Sequence, residues 1–183
     1  MRRPHRAAWL LLLAIALPAS AGTDPLLRFH PQEGDLPELA VVEGSHQAGA
    51  GEGLTQIYDG GYGRYTKAGV TRASQRYYKV ADRTVEVVIH EVKSERAARR
   101  LFESFCKDSA AAVEPLKLGR RTAKQCATAA DGTAFAYVTV GRYFLASSVD
   151  KADPGAARGL LTVAGERIVG KRKAAAAKTT TQP

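Results

Sequence analysis

Residues 70–92, "VTRASQRYYKVADRTVEVVIHEV", decide the fold. Two runs rich in Val, Thr, Tyr and Ile are joined by the short polar segment "ADR", which predicts a pair of neighbouring strands. The second run has apolar residues on both of its faces, which is typical of a central strand covered on two sides. These residues are Val85, Val87 and Ile89 on one face and Val88 and Val92 on the other.

A helix is predicted next, at residues 94–112, "SERAARRLFESFCKDSAAA". Ser94 is a favourable N-cap residue, and Glu95 places a negative charge in the first turn, where it stabilises a helix. Pro115 prevents the helix from continuing further. The apolar residues recur at helical spacing and predict one buried stripe, formed by Ala98, Leu101, Phe102, Phe105 and Cys106.

Residues 122–149 predict three further strands joined by tight turns. Asp131-Gly132 favours a type I′ turn, and Gly141-Arg142 favours a type II′ turn. Both turn types connect antiparallel neighbours, so this segment predicts consecutive hairpins.

The last predicted helix has Asp153 as its N-cap, Pro154 in its first turn and Gly170 as its stop. An apolar stripe at helical spacing predicts its buried face. That stripe consists of Ala157, Leu160, Leu161, Ala164 and Ile168.

A first helix is predicted over residues 53–69, "GLTQIYDGGYGRYTKAG". Three glycines weaken this helix, so an irregular glycine loop is the alternative. We interpret Gly61 as a buried-face residue that lets the backbone approach the sheet. No Lys-Ser or Lys-Thr pair follows the glycines, which argues against a phosphate-binding loop. The predicted stripe is Leu54, Ile57, Tyr58, Gly61, Tyr62, Tyr65 and Ala68.

Together these segments predict one α+β domain over residues 53–170, in the order α-β-β-α-β-β-β-α. Its sheet is expected to be mainly antiparallel, with about five strands. Residues 22–52 contain several prolines and glycines, and we expect an extended N-terminal segment with one short strand near Leu39–Val42. Residues 171–183, "KRKAAAAKTTTQP", predict a disordered basic tail.

The first 21 residues are typical of a signal peptide. A basic start, "MRRPHR", precedes the apolar run "AAWLLLLAIAL", and Ala19 and Ala21 have the spacing that signal peptidase recognises. We expect cleavage after Ala21 and export to the periplasm or the cell exterior. An uncleaved anchor is the alternative, but the apolar run is shorter than the ~20 residues that span a bilayer.

The net charge of +9 comes mainly from the ends of the chain. Seven basic residues lie in the predicted leader and tail, so the body between them is nearly balanced. Nucleic-acid binding is therefore not expected. The tail predicts at most a weak, salt-sensitive contact with an anionic envelope surface, since each basic residue contributes only ~1 kcal/mol.

Cys106 and Cys126 are the two cysteines of the chain. An even count in an exported protein favours a disulfide, which would stabilise the fold by ~3 kcal/mol. Two free thiols and a redox pair are the alternatives, although redox pairs usually occur as Cys-x-x-Cys.

The pattern formed by "LTQIYDGGYGRYTKAGV", "ASQRYYKV", "RTVEVVIHEV" and "SERAARRLFESF" resembles a family of bacterial secreted or lipid-anchored proteins of unknown function with a PsbP-like fold. Tyr58, Gly60, Gly61 and Tyr65 match the family's glycine and aromatic spacing, and the resemblance covers about residues 53–168. This chain departs from the family by lacking a lipoprotein cysteine and by its basic tail. The resemblance implies an α+β sandwich and a non-catalytic role, without any catalytic residue.

The sequence offers no compact catalytic or metal motif. The histidines do not have metal-ligand spacing, so neither a metal site nor a cofactor is predicted. We expect His30 and His46 to be solvated and His90 to lie on a strand face. Asp59, Glu86 and Glu91 were considered as carboxylate pairs, but Glu86 and Glu91 lie on opposite faces of a regular strand. No catalytic residue is therefore assigned.

Tyrosine is the commonest aromatic residue, and tyrosines combine a packing ring with a polar hydroxyl. They suit a contact surface, although the boundary between core and solvent is the more ordinary place for them. If a surface of this protein binds a partner, we predict that its binding residues lie on the first helix, at Tyr58, Tyr62, Arg64 and Tyr65.

These observations favour an exported, non-enzymatic envelope protein that binds a protein partner or a ligand. A small exported hydrolase with a site built from scattered residues is the alternative, and it predicts a pocket with a strongly perturbed carboxylate or histidine. Tethering by the tail is a third possibility.

Overall fold

The computed structural model describes residues 24–58 and 61–170. The predicted leader, Asp59, Gly60 and the basic tail lie outside the described residues. No helix in these ranges has the length and apolar character needed to cross a membrane. The elements are, in chain order, a 3-10 helix (Leu27–Phe29), β1 (Leu39–Val41), β2 (Gln47–Ala50), a second 3-10 helix (Gly51–Gln56), α1 (Tyr62–Ala68), β3 (Val70–Val80), β4 (Arg83–Val92), α2 (Glu95–Asp108), β5 (Glu114–Leu118), β6 (Arg121–Ala130), β7 (Thr133–Val140), β8 (Tyr143–Val149) and α3 (Gly155–Ile168).

The described strands form a single antiparallel sheet in the order β1-β3-β4-β8-β7-β6-β5, and β2 also pairs with β3. The predicted α+β class with a mainly antiparallel sheet is confirmed. The β3–β4 hairpin lies inside this sheet, because β8 pairs with the other edge of β4. The core confirms the predicted alternation along β4. Val85, Val87 and Ile89 belong to one buried cluster, and Val88 and Val92 belong to the other.

Helices cover both faces of the sheet. We call the face covered by α3 and the Leu27–Phe29 turn the α3 face, and its core is built around Leu160 and Leu161. We call the opposite face the α2 face, since Leu101 and Phe102 of α2 pack there together with Leu54. The two cores give the sheet a buried layer on each side.

The α2 helix begins as predicted. The Ser94 hydroxyl accepts a hydrogen bond from the Ala97 amide at 3.2 Å, which satisfies one of the free amides of the first turn. Cys106 lies on the buried stripe of this helix and forms a disulfide with Cys126 of β6. The disulfide interpretation of the two cysteines is confirmed, and the bond ties α2 to the sheet.

The sheet has eight strands, so the expectation of about five is wrong. The N-terminal segment supplies β1 and β2, which both pair with β3. The short strand expected near Leu39–Val42 is β1, so the unexpected strands are β2 and β5, and β5 pairs with β6 at the far edge of the sheet. Pro115 lies inside β5, and an edge strand tolerates proline because one row of its amides needs no partner.

The first predicted helix is wrong as a single element. The chain instead forms the short 3-10 helix Gly51–Gln56 and the seven-residue α1. Gly61 is exposed, and a Cβ built on it meets only the Tyr65 ring at 3.5 Å. It therefore does not mediate a close approach to the sheet. Such an approach occurs at Gly165 of α3, where a Cβ would come within 2.8 Å of Leu118.

The predicted turns agree with the backbone. Asp131 and Gly132 both have positive φ, at 51° and 78°, as a type I′ turn requires. Gly141 has φ of 56°, which fits the first central position of a type II′ turn. Before α3, the Asp153 carboxylate accepts a hydrogen bond from the Gly155 amide at 2.9 Å and acts as the predicted cap.

Candidate ligand-binding site

A pocket of about 300 Å³ opens on the α2 face, beside α1. Its volume is at the lower end of the range for small-molecule sites, about 300–1,000 Å³. Aromatic rings form much of its wall, and one carboxylate lies among them. We call it the tyrosine pocket, defined by Tyr58, Tyr65, Glu86, His90, Phe105 and Tyr137.

The floor of the pocket follows from strand alternation. Glu86, Val88 and His90 occupy alternate positions of β4 and therefore share the α2 face. Across the ladder, Glu86 is opposite Ser148 and Val88 is opposite Ala146 of β8. The sheet thus presents a polar end at Glu86, an apolar middle, and an imidazole at the other end.

His90 is buried, with 1% of its surface exposed. Its Nδ1 donates a hydrogen bond to the Phe144 carbonyl oxygen at 2.9 Å, because that oxygen can only accept. Burial lowers the pKa of His90 to about 4, so the ring is neutral at physiological pH. Its Nε2 is consequently a lone-pair acceptor, and it has no hydrogen-bond partner among the described residues.

Two tyrosines stack beside this imidazole. The rings of Tyr58 and Tyr65 are parallel, with centroids 4.0 Å apart, and their centroids lie 5.8 and 5.2 Å from that of His90. The Tyr58 hydroxyl is buried and, within the described part of the chain, makes no hydrogen bond. Burial raises the pKa of Tyr58 and of Tyr65, so both phenols keep their protons.

Glu86 lies at the opposite end of the pocket and is half-buried. Its carboxylate accepts hydrogen bonds from the Tyr77 hydroxyl at 3.2 Å, from the Ser148 hydroxyl at 3.0 Å, and from the Gln75 amide. Burial, and then the neighbouring carboxylate, raise the pKa of Tyr77, which keeps this phenol a donor. A carboxylate has about four acceptor positions, so Glu86 retains room for one further donor.

The structure brings together two of the four residues predicted to bind. Tyr58 and Tyr65 form the pocket wall. Arg64 is instead tied to α2, where its guanidinium pairs with Asp108 at 2.6 Å and lies 3.8 Å from the centre of the Phe105 ring. Tyr62 does not line the pocket, and its hydroxyl contacts the Gly51 carbonyl oxygen at 3.4 Å.

Sequence reasoning missed Glu86 and His90 as members of one site. The available signal was their spacing, since residues four apart on a strand share a face. Glu86 was related to Asp59 and Glu91 but not to His90. Glu91 lies on the opposite face and pairs there with Arg72 and Arg142. The interpretation of those two carboxylates as lying on opposite faces is correct.

The expectation that His30 and His46 are both solvated is wrong for His30. His30 is fully buried, with Nδ1 3.1 Å from the Tyr78 hydroxyl and Nε2 3.0 Å from the Ser74 hydroxyl. Burial, followed by the charge of Arg76, lowers the pKa of His30 to about 3. The segment folds onto β3 because these buried polar atoms need partners.

Asp24, His46 and Ser74 have the residue types of a hydrolase triad but not its geometry. One nitrogen of His46, Nε2, lies 3.0 Å from Asp24 and 3.3 Å from Ser74. A catalytic triad needs the two ring nitrogens to divide these contacts. Ser74 is also fully buried, and we therefore treat this cluster as part of the core.

Within residues 24–58 and 61–170, no three histidine, cysteine or acidic side chains are grouped so that they could hold a metal ion. The lining of the tyrosine pocket combines aromatic rings, aliphatic side chains and two serines with one carboxylate and one neutral imidazole.

Comparison with known proteins assigns neither a family nor a function to the chain. No protein-family profile matches the chain, and no curated protein matches its sequence. Among solved structures, the chain is similar to the extracellular domain of PknH from Mycobacterium tuberculosis, with a TM-score of 0.40 and 10% sequence identity. That similarity covers 73% of this chain and 83% of the other. We base no functional conclusion on a similarity this low.

Proposed function

We propose that this protein is an exported, non-catalytic binding protein of the bacterial cell envelope and that the tyrosine pocket is its ligand site. The observation that carries the proposal is that two buried polar atoms of residues lining this pocket, His90 Nε2 and the Tyr58 hydroxyl, have no hydrogen-bond partner in the described part of the chain. Leaving a buried polar atom unsatisfied costs about 1–3 kcal/mol, and a bound ligand would recover part of that cost.

Export is supported by the Cys106–Cys126 disulfide, since such bonds persist in oxidising compartments. The signal peptide with cleavage after Ala21 belongs to the same proposal. Membership of the PsbP-like family is also part of this proposal. The order of helices and hairpins around β3 and β4 supports it.

A binding role fits the pocket better than catalysis. A histidine with a pKa of about 4 is a weak base at neutral pH, whereas general bases work best near the pH of the reaction. The nearby hydroxyls are also engaged, because Ser148 donates to the Glu86 carboxylate and Ser147 donates to the Glu86 carbonyl oxygen at 2.6 Å. Neither is positioned as a nucleophile activated by His90.

A small exported hydrolase is the second candidate. The observation that favours it is that one pocket contains both a carboxylate, Glu86, and a histidine with a strongly lowered pKa, His90. Such combinations are enriched at active sites. Under this reading His90 would take a proton from a bound substrate or water.

Native mass spectrometry of the exported protein tests the proposal. We expect a small molecule to co-purify with the wild-type chain, and to be recovered unchanged after incubation. Ala146→Phe should abolish the bound mass, because it fills the pocket without removing a polar group. Val113→Phe is the matched control, since Val113 is exposed and does not line the pocket.

The other outcomes separate the candidates. Steady conversion of the recovered molecule, lost in His90→Phe, would establish the hydrolase. Equal recovery from wild type and Ala146→Phe would show that the tyrosine pocket is not the site. A stoichiometric protein in place of a small molecule would identify a partner as the occupant.

A further inference from the structure

Besides its tyrosine hydroxyls, which can donate or accept, the tyrosine pocket contains two side chains that can only accept hydrogen bonds. His90 Nε2 is an acceptor that has no donor within residues 24–58 and 61–170, and Glu86 is the one acidic side chain among the lining residues. The pocket therefore offers two hydrogen-bond acceptors, and a complementary ligand must bring donors to both.

The two acceptors are at opposite ends of the pocket. Glu86 and His90 lie four residues apart on one face of β4, which separates their backbones by about 13 Å. Between them the floor is Val88, and the walls are aromatic rings. A ligand that reaches both ends must be elongated and mostly apolar in its middle.

The groups that line the pocket favour a positively charged ligand. A carboxylate and a lone pair repel anions, whereas aromatic faces attract cations. The nearest guanidinium, that of Arg64, does not reverse this preference, because it is paired with Asp108 at 2.6 Å. An ammonium group near Glu86 would use the acceptor position that Tyr77, Ser148 and Gln75 leave open.

From this geometry we propose that the pocket binds a small organic amine: a cation with an ammonium group for Glu86, a flat apolar body for the tyrosine walls, and a second hydrogen-bond donor for His90 Nε2. The assignment rests on the proposed binding function and narrows it to one ligand class. A free small molecule fits better than a lipid headgroup, because both of its ends must lie inside a cavity of about 300 Å³.

Four probes that share one ring test each part of the assignment. Tyramine has the ammonium, the ring and a hydroxyl donor at the far end. Phenethylamine lacks the hydroxyl, tyrosol replaces the ammonium with a neutral alcohol, and 4-hydroxyphenylacetate replaces it with an anion. Binding is measured at pH 7 by NMR titration, with the methyl groups of Val88 and Ala146 reporting occupancy of the pocket.

We expect tyramine to bind most tightly and 4-hydroxyphenylacetate most weakly. Glu86→Gln should weaken tyramine by about tenfold or more, as expected for a hydrogen bond to a charged group, while leaving tyrosol nearly unchanged. His90→Phe should abolish the preference for tyramine over phenethylamine. Glu91→Gln is the matched control, because it removes a charge from the same strand but from the α3 face.

Three results would overturn the assignment. If tyrosol or 4-hydroxyphenylacetate binds in the pocket as tightly as tyramine, the site is not cation-selective, although its binding function stands. If Glu86→Gln and Glu91→Gln weaken tyramine equally, the ammonium does not bind at Glu86. If no probe shifts Val88 or Ala146 up to its solubility limit, the amine class is wrong, and recovery of a bound molecule then decides the binding function separately.

Discussion

Each face of the sheet buries a histidine close to a tyrosine, and the two histidine–tyrosine pairs differ in their hydrogen bonds. On the α3 face, His30 contacts Tyr78 and Ser74 through its two ring nitrogens, and the Tyr78 hydroxyl donates to the Pro31 carbonyl oxygen at 3.3 Å. On the α2 face, His90 Nε2 and the Tyr58 hydroxyl have no partner among the described residues. The difference concerns these two histidine–tyrosine pairs, and it supports the proposal that a ligand completes the hydrogen bonding of the pair on the α2 face.

The covering helices explain why the faces differ. On the α3 face, the 14-residue α3 lies against β4, β7 and β8, and the N-terminal segment closes the remaining area. On the α2 face, α2 covers the same strands, but the area beside it is covered by two short elements, the 3-10 helix Gly51–Gln56 and the seven-residue α1. The tyrosine pocket occupies the gap that these short helices leave.

Lowering the pH should cause the largest loss of stability, because His30 and His90 are both buried in their neutral form. The unfolded state takes up a proton near pH 6.5, whereas folded His90 does so only near pH 4 and His30 near pH 3. Unfolding therefore binds protons in this window, and stability falls as the pH is lowered from 6.5 to about 4. Each histidine contributes a slope of about 1.4 kcal/mol per pH unit, or roughly 3 kcal/mol across the window.

Urea unfolding at a series of pH values measures these slopes. His30→Phe and His90→Phe should each remove about one histidine's share of the slope between pH 6.5 and 4. A slope that neither variant changes would show that these histidines are not buried in their neutral form.

Removing the disulfide should affect α2 more strongly than α3. Replacing Cys106 and Cys126 by alanine should lower the free energy of unfolding by about 3 kcal/mol, because the bond closes a loop of 20 residues. Since the bond anchors α2 alone, amide hydrogen exchange should accelerate in Glu95–Asp108 more than in Gly155–Ile168. Equal acceleration in both helices would mean that the bond stabilises the whole sheet and not the α2 face.

The smallest expected effect concerns Val87 and Val88, which are neighbours in β4 and lie on opposite faces of the sheet. Val87 is fully buried on the α3 face, and Val88 lies on the pocket floor. Val87→Ala should cost about 2–3 kcal/mol and Val88→Ala about 1 kcal/mol, because the second truncation enlarges an existing cavity that water can reach. Thermal or urea unfolding of the two variants checks this order, and equal costs would argue that the pocket is as tightly packed as the core.

Sequence patterns predicted the elements whose periodicity is long and regular. The alternation in β4 and the stripe and cap of α2 were read correctly, because burial on both sides imposes them. The strand β1 was expected as one short strand, whereas β2 was not predicted, since four residues are too few to show alternation and pairing with β3 stabilises it. The strand β5 was missed because Pro115 was interpreted only as the end of a helix.

The candidate site was predicted in part. Tyr58 and Tyr65 were predicted as binding residues because tyrosines cluster near the glycines, and they do lie together. Glu86 and His90 were not assigned, because what distinguishes them is a cavity and an unsatisfied nitrogen. Those features depend on where α1 ends and how it packs. The spacing of residues along β4 gives no information about either.

The most direct test of the account compares the ring nitrogens of the two buried histidines. The Nε2 resonances of His30 and His90 would be followed by 15N NMR at pH 7 while tyramine is added. We predict that His90 Nε2 shifts as it accepts a hydrogen bond, while His30, whose nitrogens already have partners, stays unchanged. An unchanged His90 resonance at saturating tyramine, or equal shifts at both histidines, would contradict the claim that the α2 face is completed by a ligand.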